Sequence, residues 1–119
     1  MKAQPTISVI IATYNSEKTI ALAIKSVLEQ NYKSLDLIII DGNSTDNTLE
    51  IIKSFNDNRI RCISEPDEGI YDAWNKGVML SQSERIIFIG SDDTLATSKS
   101  LTKFWSNVNP EHFNNPVIY

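Results

Sequence analysis

The chain has 119 residues, 41% of them hydrophobic and 22% charged, and its net charge is −4. This composition is ordinary for one globular domain or part of one, and the acidic balance argues against a nucleic-acid backbone as the main partner. Because no apolar run approaches the roughly 18 residues of a membrane span and residues 1–6 are too polar for a signal peptide, we expect a cytoplasmic protein with no transmembrane segment in this chain.

Four segments have the composition of β-strands. Residues 7–12, 35–40 and 86–90 are apolar runs, which are typical of strands buried inside a parallel sheet. Residues 59–64 are more polar and predict a strand at the edge of that sheet. The single cysteine, Cys62, lies in this edge strand, where we expect it to be a small buried residue.

The segments between the strands have apolar residues at helical spacing. We expect Ser16 to cap the first helix and Ser44 or Thr45 to cap the second, because their hydroxyl oxygens can accept from free backbone N–H groups. A third helix is predicted over residues 70–80 and a fourth near residues 98–108. The positions predicted to face the core are Ile20, Ala23, Ile24, Val27 and Leu28 in the first helix, Leu49, Ile52 and Phe55 in the second, and Ile70, Trp74, Gly77 and Val78 in the third.

The order of these elements is β-α-β-α-β-α-β, with a further strand starting at residues 114–119. Such alternation predicts a half-Rossmann-like α/β fold: a parallel sheet in the order 3-2-1-4, joined by right-handed crossovers and flanked by helices on both faces. The carboxyl ends of its strands form one edge, where ligands bind in such sheets. On this topology we expect Asp41, Asp92 and Asp93 to converge at that edge.

Asp92 and Asp93 directly follow the last apolar strand and a Gly-Ser pair. At an effective dielectric constant of 20, two carboxylates about 5 Å apart repel each other by roughly 3 kcal/mol. A divalent cation or a set of hydrogen-bond donors would relieve that repulsion. The alternative is that the two acids form a solvated turn and a helix cap.

Several motifs, taken together and in order, resemble the N-terminal half of the family 2 glycosyltransferases. They are SVIIATYN at 8–15, SVLEQ at 26–30, IDGNSTDNT at 40–48, EGIYDAWNKG at 68–77 and GSDD at 90–93. The resemblance implies a nucleotide-diphospho-sugar transferase of the GT-A fold that transfers a sugar with inversion. It also implies a UDP-sugar donor, a saccharide or lipid-linked acceptor, a role in cell-surface polysaccharide synthesis and possible contact with the inner membrane face.

The same resemblance implies that Asp41 binds the nucleotide base and that Asp93 reaches a divalent metal. The chemistry agrees, since Mn²⁺ and Mg²⁺ take hard oxygen ligands and an acid at a strand end can accept from a base N–H such as that of uracil. Asp92 is then expected to reach the ribose or a metal-bound water. The alternative for Asp41 is a turn that it builds with Gly42.

Four more residues are candidates for donor contacts. Thr13 and Tyr14 can supply backbone contacts and a ring edge to the base, Asp72 can contact the donor, and Lys76 can approach a phosphate. The alternatives are that Tyr14 and Lys76 are solvated surface residues and that Asp72 acts as a helix cap.

The chain departs from the family pattern in two ways. The usual Asp-x-Asp element has an acid where this chain has Gly90 or Ser91, which leaves fewer carboxylates for a metal. Tyr119 falls where the family begins its acceptor half, and the general base is expected beyond it. We therefore expect residues 1–119 to be the donor-binding part of an enzyme, inactive alone. The alternative is a non-catalytic nucleotide-sugar-binding module.

Overall fold

A computed structural model describes residues 7–95, 98–102 and 117–118. Strands and helices alternate along the chain, as the sequence predicts. In chain order they are β1 (Ile7–Thr13), α1 (Ile20–Leu28), β2 (Leu35–Asp41), α2 (Thr48–Ser54), β3 (Ile60–Ser64), α3 (Ile70–Leu80), β4 (Arg85–Gly90) and β5 (Val117–Ile118).

The strands form one parallel sheet in the order β3-β2-β1-β4-β5. The predicted order 3-2-1-4 is confirmed, and β5 adds a strand beside β4. At the centre, Ile10 of β1 is in register with Ile38 of β2 and with Phe88 of β4. The polar strand β3 lies at the edge, because only a strand with one neighbour can leave charged side chains in water.

The residues of β1 alternate between two apolar layers. Ile7, Val9 and Ile11 pack with α1 and α2 on one face of the sheet. Ile10 packs with Ala73 and the rest of the inner surface of α3 on the other face. Full burial of one such isoleucine side chain contributes about 1.5–3 kcal/mol, so both layers hold the carboxyl edge of the sheet in place.

Helix α3 approaches the sheet closely at Gly77. A Cβ atom built on Gly77 would lie 2.5 Å from Cγ2 of Ile10, a distance that real Cβ contacts do not show. Only glycine therefore allows this helix to lie against β1 at its present distance.

The predicted helix caps are wrong, because both helices begin later than expected. The carbonyl of Ser16 accepts from the N–H groups of Thr19 and Ile20, which makes a turn before α1, so Thr19 is the N-cap. Helix α2 begins after Asn47. The polar groups of Ser44 are used elsewhere, on the carboxylate of Asp41.

Two burial predictions also fail. Ile70 is 46% exposed, since it lies at the first position of α3, beyond the part of the helix that covers the sheet. Cys62 is exposed, since it lies on the edge strand β3, which has a neighbour on one side only. Residues 98–99 form a turn and residues 100–102 are helical, while residues 103–108 of the predicted fourth helix lie outside the described residues.

Candidate nucleotide site

The site predicted from sequence lies at the carboxyl edge of the sheet. Thr13 and Asp41 are in register as the last residues of β1 and β2. The N–H of Gly42 donates to the carbonyl of Thr13 at 2.9 Å, which joins the two strand ends. The loops that follow β1, β2 and β4 therefore open on the same side.

The carboxylate of Asp41 is fully buried and accepts three hydrogen bonds. The Ser44 hydroxyl donates to Oδ1 at 2.5 Å and the Ser44 N–H to Oδ2 at 2.8 Å. The Ser64 hydroxyl at the end of β3 also donates to Oδ2, at 2.8 Å. Asp41 thus fixes the start of the β2–α2 loop and ties it to β3, and a contact between Asp41 and a base stays a prediction.

A cleft of about 260 Å³ opens beside these strand ends. The hydroxyl oxygen of Thr13 is buried and has no hydrogen-bond partner among the described residues. Side chains alternate along β1, so this hydroxyl lies on the same face as Ile11, toward α1 and α2, whereas Ala12 lies on the face of α3, where the cleft opens. Tyr14 is 59% exposed and its ring lies at the rim. The lining residues are Ala12, Thr13, Tyr14, Asp67, Gly69, Ile70 and Ala73.

Asp67 is the acid of this cleft that the sequence analysis missed. Its Oδ1 accepts from the N–H of Gly69 at 3.1 Å, and its Oδ2 would lie 3.1 Å from a Cβ atom built on Gly42. A signal was available in the sequence. Asp67 comes just after the end of a strand and lies two residues before Gly69, the glycine that precedes the next helix. Such an acid can bend the chain back on itself and leave one oxygen for a ligand.

Lys76 and Asp72 hold the β3–α3 loop that carries Asp67. The Lys76 ammonium lies 3.1 Å from Oε1 of Glu65, 3.5 Å from Oδ2 of Asp72 and 3.1 Å from the Pro66 carbonyl. The Asp72 carboxylate accepts from the Glu68 N–H at 3.0 Å. That hydrogen bond and the Lys76 charge lower the pKa of Asp72, although desolvation opposes the shift.

Asp92 and Asp93 form an exposed turn after β4. The Gly90 N–H donates to Oδ2 of Asp93 at 3.0 Å, and the Asp93 N–H donates to the Gly90 carbonyl at 3.1 Å. A Cβ atom on Gly90 would lie 2.9 Å from Oδ2 of Asp93 and 3.0 Å from Oδ1 of Asp92. A further acidic side chain at position 90 would therefore crowd both carboxylates.

The acid turn offers two adjacent carboxylates for a divalent cation. No group of three or more His, Cys, Asp or Glu side chains that could hold a metal occurs in the part of the chain that the structure describes. Asp41 ends β2 and the turn with Asp92 and Asp93 follows β4 at the same edge of the sheet, but the hydrogen bonds of the Asp41 carboxylate go to Ser44 and Ser64. The convergence of the three acids on one ligand stays a prediction. Mg²⁺ commonly takes one or two carboxylates and completes its shell with phosphate and water, so Asp92 and Asp93 fit that kind of site.

Comparisons with known proteins identify the family. The family model described as glycosyl transferase family 2 matches residues 8–113. The chain belongs to glycosyl transferase family 2. It is 32% identical over 120 residues to a PGL/p-HBAD biosynthesis glycosyltransferase of Mycobacterium tuberculosis, covering 98% of this chain and 46% of the relative.

A second family 2 relative is an Escherichia coli β-1,3-glucosyltransferase, WfaP, whose name specifies UDP-Glc and α-D-GlcNAc-diphosphoundecaprenol. The match has 39% identity over 94 residues, covering 78% of this chain and 38% of the relative. The chain thus spans less than half the length of either relative.

Solved structures confirm the GT-A fold. Staphylococcus aureus TarS 1–349 in complex with UDP-GlcNAc superposes with a TM-score of 0.78 at 26% identity, covering 85% of this chain and 30% of that one. A mannosyltransferase from Pyrobaculum calidifontis in complex with GDP-Man and Mn²⁺ gives a TM-score of 0.78 at 21% identity, covering 91% of this chain and 34% of that one. In the described part of this family 2 chain, no helix has both the length and the apolar character needed to cross a membrane.

Proposed function

We propose that residues 1–119 form the donor-binding part of a glycosyltransferase that uses a UDP-sugar. The observation that carries the proposal is the cleft at the carboxyl edge of the sheet, which the end of β1, the exposed Tyr14 and the acid Asp67 line together with the start of α3. The UDP-GlcNAc bound to TarS and the UDP-Glc in the name of the E. coli relative support a uridine donor.

In this proposal the base lies in the cleft and the diphosphate lies toward the acid turn. Asp67 accepts a hydrogen bond from a base N–H, the backbone of Thr13 contacts the nucleoside, and the Tyr14 ring covers the base. Asp41, buried at the end of β2, holds the β2–α2 loop and β3 together through Ser44 and Ser64. Asp67 is already held by the Gly69 N–H before the ligand arrives, which lowers the entropic cost of binding.

Asp93 and Asp92 would hold a divalent cation, Mn²⁺ or Mg²⁺, with the diphosphate oxygens. When bound, such a cation supplies positive charge that stabilises the nucleoside diphosphate as it leaves. The GDP-Man and Mn²⁺ complex of the Pyrobaculum enzyme supports this part of the proposal as a precedent within the same fold. The exposed acid turn lets a cation and phosphate reach both carboxylates without unfolding any strand.

The acceptor is a saccharide or a lipid-linked saccharide, and the product belongs to a cell-surface polysaccharide. The α-D-GlcNAc-diphosphoundecaprenol in the name of the E. coli relative supports this class of acceptor. We expect the general base on a segment beyond Tyr119, so residues 1–119 alone should bind the donor and transfer no sugar. A positioned base contributes typically 10²–10⁴-fold, and the acceptor pocket adds proximity.

The direct test is calorimetry of the 119-residue chain against UDP, GDP, CDP and ADP, each with and without Mn²⁺. We expect UDP to bind most tightly and its affinity to rise with Mn²⁺. Equal and metal-independent binding of all four nucleotides would contradict the proposal, and so would the absence of binding to any of them.

A second candidate, a nucleotide-sugar-binding module without turnover, is favoured by the absence of an acid at Gly90 and Ser91. An assay of UDP release from UDP-sugar by a longer chain that includes the acceptor half separates the two. Transfer supports the enzyme, and binding without transfer supports the module.

A further inference from the structure

Asn15 occupies a conformation that few side chains adopt. Its φ is +48°, in the left-handed region where asparagine is enriched among residues other than glycine. It follows Tyr14 directly and is exposed. A strained position on an exposed loop persists when surrounding contacts determine it.

The contacts of Asn15 all cross to the β2–α2 loop. Its side-chain oxygen Oδ1 accepts from the Thr45 N–H at 2.8 Å, from the Asp46 N–H at 3.3 Å and from the Thr45 hydroxyl at 3.4 Å. Its own N–H donates to the hydroxyl oxygen of Ser44 at 2.8 Å. That hydroxyl in turn donates to Oδ1 of Asp41. A continuous chain of hydrogen bonds therefore runs from the Tyr14 loop to Asp41.

The fold does not depend on these contacts alone. The same two loops are also joined by the Gly42 N–H on the Thr13 carbonyl and by the Ser16 N–H on the Thr48 hydroxyl at 2.8 Å. The Asn15 contacts are at the surface, where one hydrogen bond adds little net stability. Their distinct effect is orientation, because they fix the loop that carries Tyr14, whose side chain lines the cleft.

We infer that Asn15 is a positioning residue for the nucleoside part of the donor site. It does not touch the ligand in this assignment; its side-chain oxygen holds the backbone at Thr45 and Asp46 and thereby fixes the position of the neighbouring Tyr14 at the cleft. The inference rests on the proposed function and adds a residue to it. It predicts that loss of the Oδ1 acceptor weakens nucleotide binding more than it lowers the melting temperature.

Asn43 provides a matched control for the unusual backbone. Its φ is +69°, it is exposed, and its side chain makes no hydrogen bond to any other residue that the structure describes. Asn15→Gly and Asn43→Gly both relieve the backbone, whereas Asn15→Ala and Asn43→Ala both strain it. Between the two glycine variants, and likewise between the two alanine variants, the difference in UDP affinity measures the effect of the Oδ1 contacts of Asn15. Asn15→Asp keeps an acceptor oxygen at the same place.

The experiment measures UDP affinity by calorimetry, melting temperature, and hydrogen exchange of the Thr45 and Asp46 amides. We expect Asn15→Gly to weaken UDP binding about tenfold relative to Asn43→Gly, the effect of roughly one lost hydrogen bond, with faster exchange at both amides. The UDP affinity of Asn15→Asp should stay within about threefold of that of the unmodified chain. Equal UDP affinities for Asn15→Gly and Asn43→Gly would overturn the inference, as would a loss in Asn15→Asp equal to that in Asn15→Gly.

The unmodified chain separates this inference from the proposed function. If it binds no nucleoside diphosphate, the proposed function fails, and the inference fails with it. If it binds UDP and the two glycine variants bind equally, only the assignment of Asn15 fails. Faster exchange at Thr45 and Asp46 with unchanged affinity would show that the contacts exist but do not position the ligand, which also overturns the inference.

Discussion

The carboxylate of Asp93 accepts a hydrogen bond within its own turn: its Oδ2 accepts from the N–H of Gly90, three residues earlier, at 3.0 Å. One oxygen therefore stabilises the turn while the other, Oδ1, is left to face solvent or a cation. Loss of the side chain and loss of its charge are then different perturbations. Asp93→Asn can keep the bond to Gly90 through its amide oxygen, whereas Asp93→Ala cannot.

The first prediction concerns the metal. Asp93→Asn should abolish the rise in UDP affinity that Mn²⁺ causes, because a neutral amide is a much weaker ligand than a carboxylate for a hard cation, and it should leave the melting temperature unchanged. Asp92→Asn should reduce the rise less. Calorimetry of both variants with and without Mn²⁺ is the measurement. An undiminished Mn²⁺ effect in Asp93→Asn would remove Asp93 from the metal site.

The second prediction concerns the cleft acid. Asp67→Ala should weaken UDP binding by about 1–3 kcal/mol, the loss expected when a charged hydrogen-bond partner is removed. Glu68→Ala is the matched control, since it removes the same charge from the next residue, which is exposed. The measurement is the affinity of each variant for UDP. If both variants lose the same affinity, the loss comes from removing a negative charge from the loop, and Asp67 does not contact the base.

The third prediction concerns Asp41. Asp41→Asn should lower the free energy of unfolding and weaken UDP binding, each by about 1–3 kcal/mol, because three internal hydrogen bonds lose a charged acceptor. Asp46→Asn, at the surface, should do far less to both. Chemical denaturation and calorimetry on the two variants give the comparison. A destabilised Asp41→Asn that still binds UDP normally would make Asp41 a turn residue only.

The fourth prediction separates two roles for Lys76. Because its ammonium already contacts Glu65, Asp72 and the Pro66 carbonyl, Lys76→Met should release the loop that carries Asp67. Binding of uridine and of UDP should then weaken by a similar factor, about three- to tenfold. Titrations with both ligands test this. A loss confined to UDP would show instead that Lys76 reaches a phosphate.

The fifth prediction concerns pH. Arg59 donates two hydrogen bonds to Asp57, at 2.9 and 3.0 Å, and also bonds the carbonyl of Leu28 at the end of α1. The bond to Arg59 lowers the pKa of Asp57 below its ordinary value of 3.8, against a smaller opposing effect of burial. The charged form therefore stabilises the fold above pH 3.8, and this stabilisation disappears as the pH falls through the lowered pKa.

Asp57→Asn is the variant that tests this. At pH 7 it should lower the free energy of unfolding by about 0.5–1 kcal/mol. This difference in stability from the unmodified chain should become smaller at pH values below the ordinary pKa of an aspartate. Denaturation at a series of pH values from 7 to 2 measures it. A difference that stays constant over that range would mean that the ion pair does not contribute through the Asp57 charge.

The sheet could be predicted from the sequence because its signals are local. Apolar runs of strand length alternate with helical spacing, and the chirality of parallel connections then leaves few arrangements. The bounds of α3 also follow from the sequence, since Gly69 precedes its first turn and no side-chain cap is needed. The start of α1 could not be predicted, because the Ser16 hydroxyl pairs with that of Ser91, which only the fold brings near. The start of α2 was predicted too early because Ser44 bonds Asp41, three residues before it, and does not cap the helix.

The site was predictable in position but not in detail. The register of the strands brings Thr13 and Asp41 together, and topology puts the acid turn on the same edge. The orientation of Asp41 depends on a hydroxyl from Ser64, 23 residues away in sequence, and nothing local specifies that contact. Asp67 has a local signal in its spacing from Gly69, but its place in the cleft also depends on how α3 lies against the sheet.

The close approach of Gly77 to Ile10 has a consequence for the evolution and engineering of donor choice. Helix α3 begins seven residues before Gly77, about 10 Å away along its axis at 1.5 Å per residue, and that end forms one wall of the cleft. A single methyl group at position 77 would displace the helix from the sheet and so widen the cleft, without altering any residue that faces the nucleotide. In the proposed site, the size of base that fits the cleft would thus depend partly on a contact in the hydrophobic core.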